Sequence, residues 1–227
     1  MTVARVAVVT PVYGNASTLG ELARRVAVAL DSVPVRWTLR FVVDASPDGS
    51  LAVAHGLAAT DARLLVTSMA SNVGQNRALL AGLAADAAGA DAWVCLDADL
   101  QDPPEAVPAL LSRLDRGDVG VVFAGRRGAY ESRSRLLTGT VHRAVMARLT
   151  GLPADAGAFL AMDVASRDTL VALTPPGVVA GIGAARIAAT SVPVVRSPRP
   201  SGSSAWSTAA RVRQSGRSLA WAWRARP

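Results

Sequence analysis

Five short apolar segments recur in the first 124 residues, and each is separated from the next by a stretch long enough for a helix. They span residues 3–10, 36–43, 62–67, 92–96 and 119–124. Helices are predicted between them at 18–30, 47–58, 73–87 and 103–115, the first capped by Ser17 or Thr18. Strands that alternate with helices indicate βαβ units and a parallel sheet. The sequence therefore predicts an α/β fold with a mainly parallel sheet flanked by helices.

The pattern weakens after residue 125. We expect a helix at 132–150, short strands at 158–164 and 187–195, and a mobile loop rich in Pro, Ser and Gly at 196–204. The uncharged run 169–185 is broken by Pro and Gly, so it is predicted to be a loop with short elements. No apolar run is long enough to span a bilayer. Residues 1–204 are predicted to form one domain, followed by a basic, Trp-containing C-terminal helix or tail at 205–227.

The net charge of +7 is unevenly distributed. All 17 acidic residues lie at or before Asp168, whereas residues 169–227 carry eight arginines and no acid. This asymmetry indicates an anionic partner for the tail, either phosphate groups or a membrane surface, because no nucleic-acid-binding signature is visible. The tail is either a helix docked on the domain or an interfacial helix. The single cysteine, Cys95, excludes an internal disulfide, so we expect a cytoplasmic protein, with peripheral contact at the inner face of the membrane.

Acidic side chains follow the fourth apolar segment. Asp97, Asp99 and Gln101 alternate along the chain, and if the chain stays extended they point to the same side. Close carboxylates repel one another unless a cation lies between them, and oxygen ligands suit Mg²⁺ or Mn²⁺ bound together with a diphosphate. Pro103 and Pro104 then favour the start of a helix. The alternative is a solvated turn or helix cap, but the surrounding pattern favours a metal site at the carboxyl end of a strand.

Four segments carry a resemblance to a known family. They are Val8-Val9-Thr10-Pro11-Val12-Tyr13, Phe41-Val42-Val43-Asp44-Ala45-Ser46-Pro47-Asp48-Gly49-Ser50, Asn72-Val73-Gly74-Gln75-Asn76-Arg77-Ala78 and Asp97-Ala98-Asp99-Leu100-Gln101-Asp102-Pro103-Pro104-Glu105. In order and spacing they resemble the family 2 glycosyltransferases, which have a Rossmann-like GT-A fold. The last segment is similar to the polyprenyl-phosphate sugar transferase branch, which includes dolichyl-phosphate mannose synthases. The resemblance covers about residues 3–165.

The resemblance implies a site for a nucleotide-diphosphate sugar and a metal. The implied donor-binding residues are Pro11, Val12, Tyr13, Asn15, Val43, Asp44, Asn72, Gln75, Asp97, Ala98 and Asp99. The implied metal ligands are Asp97, Asp99 and Gln101, and the ion, Mg²⁺ or Mn²⁺, would neutralise the leaving diphosphate. Asp44 would accept hydrogen bonds from the base or ribose. Taken singly, Asp44, Asn72 and Gln75 are more typical of turns and caps, so only the ensemble favours the functional interpretation.

The implied acceptor side is basic. Its residues are Arg126, Arg127, Ser132, Arg133, Arg135 and Ser204. Arginine binds phosphate oxygens through paired, charge-assisted hydrogen bonds, although a solvated basic helix start is an equal alternative for this cluster. Residues 199–206 resemble a loop that closes over the donor diphosphate in the family, and Arg199 is its matching catalytic cation. Ser204 matches the same loop.

The chain departs from the family pattern at three positions. Val43 stands in place of the first aspartate of an Asp-Asp pair, which bears on the choice of nucleotide. Ala205 replaces a lysine of the closing loop, and Ala161 replaces an arginine. Membrane helices that many relatives carry are also missing from this sequence.

The resemblance implies an inverting transfer to a polyprenyl phosphate. A phosphate acceptor is already anionic, so it needs no general base, and the only candidate bases near residues 155–165 are Asp155 and Asp163. Two alternatives remain open: a soluble family 2 enzyme acting on a small hydroxylated acceptor such as a natural-product precursor, and a sugar-nucleotide-binding homologue without turnover. A nucleotidyltransferase is disfavoured because residues 11–15 contain no cation.

Overall fold

A seven-stranded sheet organises the described part of the computed structural model, which comprises residues 2–85, 89–127 and 151–196. Its strands are β1 (Arg5–Val12), β2 (Arg36–Val43), β3 (Leu64–Ser68), β4 (Ala92–Cys95), β5 (Val121–Arg127), β6 (Leu160–Asp163) and β7 (Ala189–Val195). The spatial order is β3-β2-β1-β4-β6-β5-β7. Within this sheet only β6 runs antiparallel to its neighbours. The predicted α/β fold with a mainly parallel sheet is confirmed.

Helices cover both faces of the sheet. They are α1 (Leu19–Asp31), α2 (Ser50–Thr60), α3 (Gln75–Ala85), α4 (Val107–Leu114), α5 (Val164–Leu173) and α6 (Val178–Ala184). Helices α1, α2 and α4 pack on one face with residues such as Val8 and Leu39, whereas α3, α5 and α6 pack on the other with Val9 and Trp93. Both faces of β1 and β4 are therefore buried, which explains why these strands are continuously apolar.

Most predicted elements lie close to the observed ones. The second strand has the predicted limits, and β4 ends one residue earlier than predicted. The predicted helix 103–115 begins with a 3-10 turn at Pro104–Ala106 and becomes α-helical at Val107. The predicted helix 132–150, the predicted loop 196–204 except for Arg196, and the tail 205–227 lie outside the described residues.

The prediction of a loop with short elements for 169–185 was wrong. Helix α5 runs into this segment and α6 occupies most of its second half. The Asp163 side chain caps α5 by accepting from the Ser166 N–H at 2.8 Å, and Thr174 ends the helix in the left-handed region at φ 42°. The two prolines thus fall between helices and interrupt neither. No helix in the described ranges combines the length and apolar character needed to cross a bilayer.

The strand directions create one functional edge. Strands β1, β2, β3 and β4 are parallel to one another. Strand β6 is antiparallel to both β4 and β5, so β5 runs in the same direction as β4. Strand β7 is parallel to β5 and therefore runs in that direction too. The carboxyl ends of six strands therefore meet at one edge of the sheet. In open α/β sheets this is the edge at which ligands bind.

Candidate functional site

A tight acidic loop follows β4 at this edge. The strand ends at Cys95, and Ala98 and Asp99 lie in a turn. The Thr18 hydroxyl donates to the Ala98 carbonyl at 2.7 Å, which ties the loop to the start of α1. Thr18 is the N-terminal cap residue of that helix, but its side chain makes no capping hydrogen bond. The Asn15 carbonyl, at 3.0 Å, is a second acceptor for its hydroxyl group.

The expectation of an extended chain through the acidic motif was therefore wrong. Leu100 has a φ of 61°, in the left-handed region, so the chain reverses between Asp99 and Gln101. The Gln101 N–H donates to Asp99 Oδ1 at 3.1 Å, which stabilises the turn from within. Alternation along a strand cannot be what groups these oxygen atoms. The compact loop holds them in one short segment instead.

The start of α3 lies against the acidic loop. Gln75, the first residue of α3, donates from Nε2 to Asp97 Oδ1 at 2.5 Å. Asp44 follows β2 directly, is 1% exposed, and accepts from the backbone N–H groups of Val73 and Gly74 at 2.7 and 2.8 Å. Asn72 donates to the Asp44 carbonyl at 3.3 Å. The structure thus brings together the predicted residues Asp44, Asn72, Gln75 and Asp97.

The β1–α1 loop is held by the β2–α2 loop. The Gly14 N–H donates to Ser46 Oγ at 2.8 Å, and the Asn15 N–H donates to Ser50 Oγ at 3.1 Å. Asp48 accepts from both serine hydroxyls and from the Ala16 N–H. Partial burial acts to raise the pKa of Asp48, but these hydrogen bonds outweigh it and lower the pKa to about 2. The carboxylate therefore braces the loop that carries the predicted residues Tyr13 and Asn15.

The remaining predicted donor residues lie at the ends of β1 and β2. Pro11 and Val12 end β1, and Val12 pairs in register with Val43, the last residue of β2. Both valines are buried at 1% exposure. Val43 therefore belongs to the core between the sheet and its helices, and its position next to Asp44 is that of the aspartate it replaces in the family pattern.

The predicted acceptor residues are only partly within the described chain. Arg126 and Arg127 end β5, at the same sheet edge as the acidic loop, with β6 between β5 and β4. The other predicted residues, Ser132, Arg133, Arg135, Arg199 and Ser204, lie outside the described residues, as does Ala205. Ala161 is fully buried in β6, where it pairs with Val94 and Val122.

The two candidate bases lie at opposite edges of the sheet. Asp163 pairs with Ala92, the first residue of β4, and caps α5, so it lies away from the acidic loop. Asp155 packs against Gly125 near the end of β5, so closely that an added Cβ there would lie 2.2 Å from Asp155 Oδ2. The Ser191 hydroxyl donates to the same oxygen at 3.4 Å. Asp163 is thus excluded as a base, whereas Asp155 is on the correct edge.

A buried ion pair adds two residues to which the sequence assigned no role. Arg196, directly after β7, places Nη2 2.6 Å from Oδ1 of Asp102, and the two side chains are 7% and 3% exposed. Asp102 Oδ2 also accepts a long hydrogen bond, 3.4 Å, from the Asp97 N–H. No local sequence signal links these two residues, because the contact depends on the order of strands in the sheet.

The donor atoms of the acidic loop suit a hard divalent cation. Asp97 and Asp99 offer carboxylate oxygens and Gln101 an amide oxygen, and a carboxylate oxygen that accepts one hydrogen bond retains a second lone pair. In the described ranges no three His, Cys, Asp or Glu side chains cluster as a metal site.

The chain matches known proteins over most of its length. A family model described as glycosyl transferase family 2 matches residues 7–152. The undecaprenyl-phosphate 4-deoxy-4-formamido-L-arabinose transferase of Salmonella choleraesuis (strain SC-B67) is 32% identical over 148 residues, 65% of this chain and 44% of the relative. The enzyme of the same name from Edwardsiella ictaluri (strain 93-146) is 34% identical over 147 residues, 63% of this chain and 45% of the relative. The matched segment thus spans less than half of either relative.

Solved structures agree with the fold. Glucosyl-3-phosphoglycerate synthase from Mycobacterium tuberculosis, in complex with Mn²⁺ and UDP-glucose, superposes with a TM-score of 0.70 at 20% identity. The match covers 99% of this chain and 80% of the synthase chain. A mannosyltransferase from Pyrobaculum calidifontis, in complex with GDP-mannose and Mn²⁺, superposes with a TM-score of 0.67 at 22% identity. The match covers 98% of this chain and 65% of the mannosyltransferase chain. At such identities the likeness speaks for the fold, which is of the expected GT-A type.

Proposed function

The chain belongs to glycosyl transferase family 2, and we propose that it transfers a sugar from a nucleotide-diphosphate donor to a polyprenyl phosphate, with inversion and with a divalent metal. The two relatives described above are named as undecaprenyl-phosphate transferases, which supports a lipid phosphate acceptor. In this reaction an acceptor phosphate oxygen forms a bond to the anomeric carbon of the sugar. The bond from that carbon to the diphosphate breaks, and a nucleoside diphosphate leaves.

One observation carries the proposal: the acidic loop and the start of α3 meet at the carboxyl edge of the sheet. The 2.5 Å contact between Gln75 and Asp97 fixes the relative position of two segments that the sequence separates widely. We assign Asp97, Asp99 and Gln101 as ligands of Mg²⁺ or Mn²⁺, which would supply positive charge to the leaving diphosphate. Two structural neighbours are bound to Mn²⁺, which supports a requirement for a divalent metal.

The donor nucleotide would lie over the ends of β1 and β2. We assign Pro11, Val12, Tyr13 and Asn15 to one side of it, because their loop is braced in place by Asp48. Val43, Asp44, Asn72 and Ala98 would line the other side, with Val43 and Ala98 contributing backbone atoms because their side chains are buried in the core. Because both oxygens of Asp44 already accept backbone N–H groups, any contact that Asp44 makes with the base or ribose uses the remaining lone pairs.

The acceptor phosphate would bind toward β5. We assign this role to Arg126 and Arg127, together with Ser132, Arg133, Arg135 and Ser204, and we assign Arg199 to the leaving diphosphate. The supporting observation is that β5 ends at the same edge as the acidic loop. The excess of arginine in residues 169–227 supports contact with an anionic membrane surface at the cytoplasmic face. Because of the same excess of arginine, we propose that residues 205–227 form a tail separate from the catalytic domain.

A second candidate is transfer to a small hydroxylated acceptor. Asp155 favours it, since this carboxylate lies against Gly125 on the acceptor side of the site and could serve as the general base that a hydroxyl needs. An Asp155→Asn variant separates the two possibilities. Its turnover would fall at least about 100-fold with a hydroxyl acceptor, and would change little with a phosphate acceptor that is already ionised.

The test begins with thermal shift measurements on UDP-, GDP-, dTDP- and CMP-sugars with Mn²⁺, because a ligand bound to the native state raises its melting temperature. Turnover is then followed with polyprenyl phosphate and the donor so identified. Asp99→Asn should abolish metal-dependent transfer, whereas Asp118→Asn, on a surface ion pair, should retain it. Full activity of Asp99→Asn without metal would refute the mechanism. Donor binding with neither hydrolysis nor transfer would instead indicate a binding protein without turnover.

A further inference from the structure

The Asp102–Arg196 ion pair lies directly beside the proposed metal loop. Asp102 is the residue after Gln101, and its second oxygen accepts from the backbone N–H of Asp97. Its first oxygen is bound by Arg196 at 2.6 Å, and both side chains are almost fully buried. A buried carboxylate is costly unless it is paired, and Arg196 supplies that partner for Asp102. The pair thus connects β7 to both ends of the acidic loop.

We propose that Asp102 and Arg196 are a positioning pair, which holds the acidic loop in the conformation that binds the divalent cation. The inference rests on the proposed function, because it takes Asp97, Asp99 and Gln101 as the metal ligands. Asp102 is itself the carboxyl end of the loop, and its side chain holds the amino end by accepting from the Asp97 N–H. Arg196 fixes Asp102 from a different strand of the sheet.

A third carboxylate so close to the site could otherwise act as a metal ligand itself. Asp102 is directed instead to the guanidinium group of Arg196. The Thr18–Ala98 contact holds the middle of the loop to the start of α1. The loop is therefore supported at its start, middle and end by residues that do not belong to the predicted ligand set.

The sign of one substitution separates positioning from simple electrostatics. Replacing Arg196 with glutamine removes a positive charge near the metal site, and by Coulomb attraction alone this should strengthen cation binding. If the pair positions the loop, the same change should weaken cation binding, because Asp102 loses its anchor. The two interpretations therefore predict opposite changes in the same dissociation constant.

The experiment measures binding of Mn²⁺ alone to the full chain, by the loss of the free-ion electron paramagnetic resonance signal. We expect Arg196→Gln to weaken Mn²⁺ binding about tenfold, and Arg196→Lys, which keeps the charge but not the guanidinium geometry, to weaken it only about threefold. All measurements are made well below the melting temperature of each variant. Arg113→Gln is the matched control, since Arg113 also forms a 2.6 Å ion pair, with Asp118, but far from the site on the surface.

Each outcome bears on one claim only. Unchanged or tighter Mn²⁺ binding by Arg196→Gln would overturn the positioning role. The proposed function would still stand if the wild-type chain binds Mn²⁺ and Asp99→Asn does not. If the wild-type chain itself binds no Mn²⁺, the proposed metal site fails instead. Should Arg196→Gln not fold, Arg196→Lys decides the question, because a single ammonium donor cannot reproduce the geometry of the guanidinium and should weaken Mn²⁺ binding about threefold.

Discussion

The Asp44 carboxylate offers the sharpest test of how the site is built. It is 1% exposed and accepts two backbone N–H groups, from Val73 at 2.7 Å and from Gly74 at 2.8 Å. These contacts fix the turn that leads into α3, where Gly74 has a φ of 91°. Asparagine has nearly the same shape as aspartate but presents only one acceptor oxygen. Asp44→Asn therefore places an NH₂ group against a backbone N–H.

The cost follows from these two bonds. A hydrogen bond to a charged group contributes about 1.5–3 kcal/mol, so the loss of one and the weakening of the other would cost about 3–4 kcal/mol. The variant no longer buries a charge, which offsets about 1 kcal/mol of this cost. We expect the free energy of unfolding to fall by about 2–3 kcal/mol. For a chain of this length that corresponds to a melting temperature lower by about 4–12 °C.

Thermal unfolding followed by circular dichroism measures this change. The matched control is Asp118→Asn, which breaks a surface ion pair with Arg113 and should leave the melting temperature close to that of the wild type. Because the turn at residues 72–74 leads directly to Gln75, Asp44→Asn should also raise the metal concentration required for donor binding. A melting temperature within about 2 °C of the wild type would refute the reasoning, since it would mean that the buried carboxylate contributes no net stability.

Two further predictions concern packing and pH. Gly82→Ala should lower the free energy of unfolding in urea by about 1–2 kcal/mol, because its Cβ would lie 2.4 Å from Val9 and 2.7 Å from Val42. This overpacking outweighs the better helix propensity of alanine. Gly56→Ala, with nothing within 4 Å of the added Cβ, should raise the free energy of unfolding instead, and equal effects of the two substitutions would contradict the packing argument. Because folding lowers the pKa of Asp48 from 3.8 to about 2, its contribution is present above about pH 4 and is lost as the pH falls toward 2. Because most of the Asp48 side chain is exposed, this contribution to stability is below about 1 kcal/mol. Asp48→Asn should therefore flatten the acid limb of a stability–pH curve, and an unaltered acid limb would contradict this prediction.

The sheet could be predicted from the sequence because its pattern is local. Strand β2 was predicted with its observed limits, since its apolar residues are buried at alternate positions in the first half and continuously at the end, which is a clear strand signal. Helix α5 was missed where it enters the uncharged run. Its limits are set by the Asp163 cap and by the left-handed Thr174, and neither is evident from hydrophobic spacing.

The residues of the candidate site were named from the sequence, but the conformation of the acidic loop was not predicted. The residue types around Asp97 indicated a cation site, yet the turn at Leu100 depends on a left-handed backbone at a residue that rarely adopts it. The pairing of Asp102 with Arg196 depends on β7 lying beyond β5 and on β6 returning beside β4. Such a contact is a property of the topology, so no window of sequence contains it.

The strand order also has a consequence for synthesis on the ribosome. Asp44 follows β2, Gln75 begins α3 and Asp97 follows β4, so the four adjacent strands β1 to β4 are complete by residue 95 and can condense while the rest is still being translated. Arg196 emerges much later, at the end of the outermost strand. A nascent chain would therefore form this half of the sheet first, and would gain the Arg196 contact with its acidic loop only when that final strand docks.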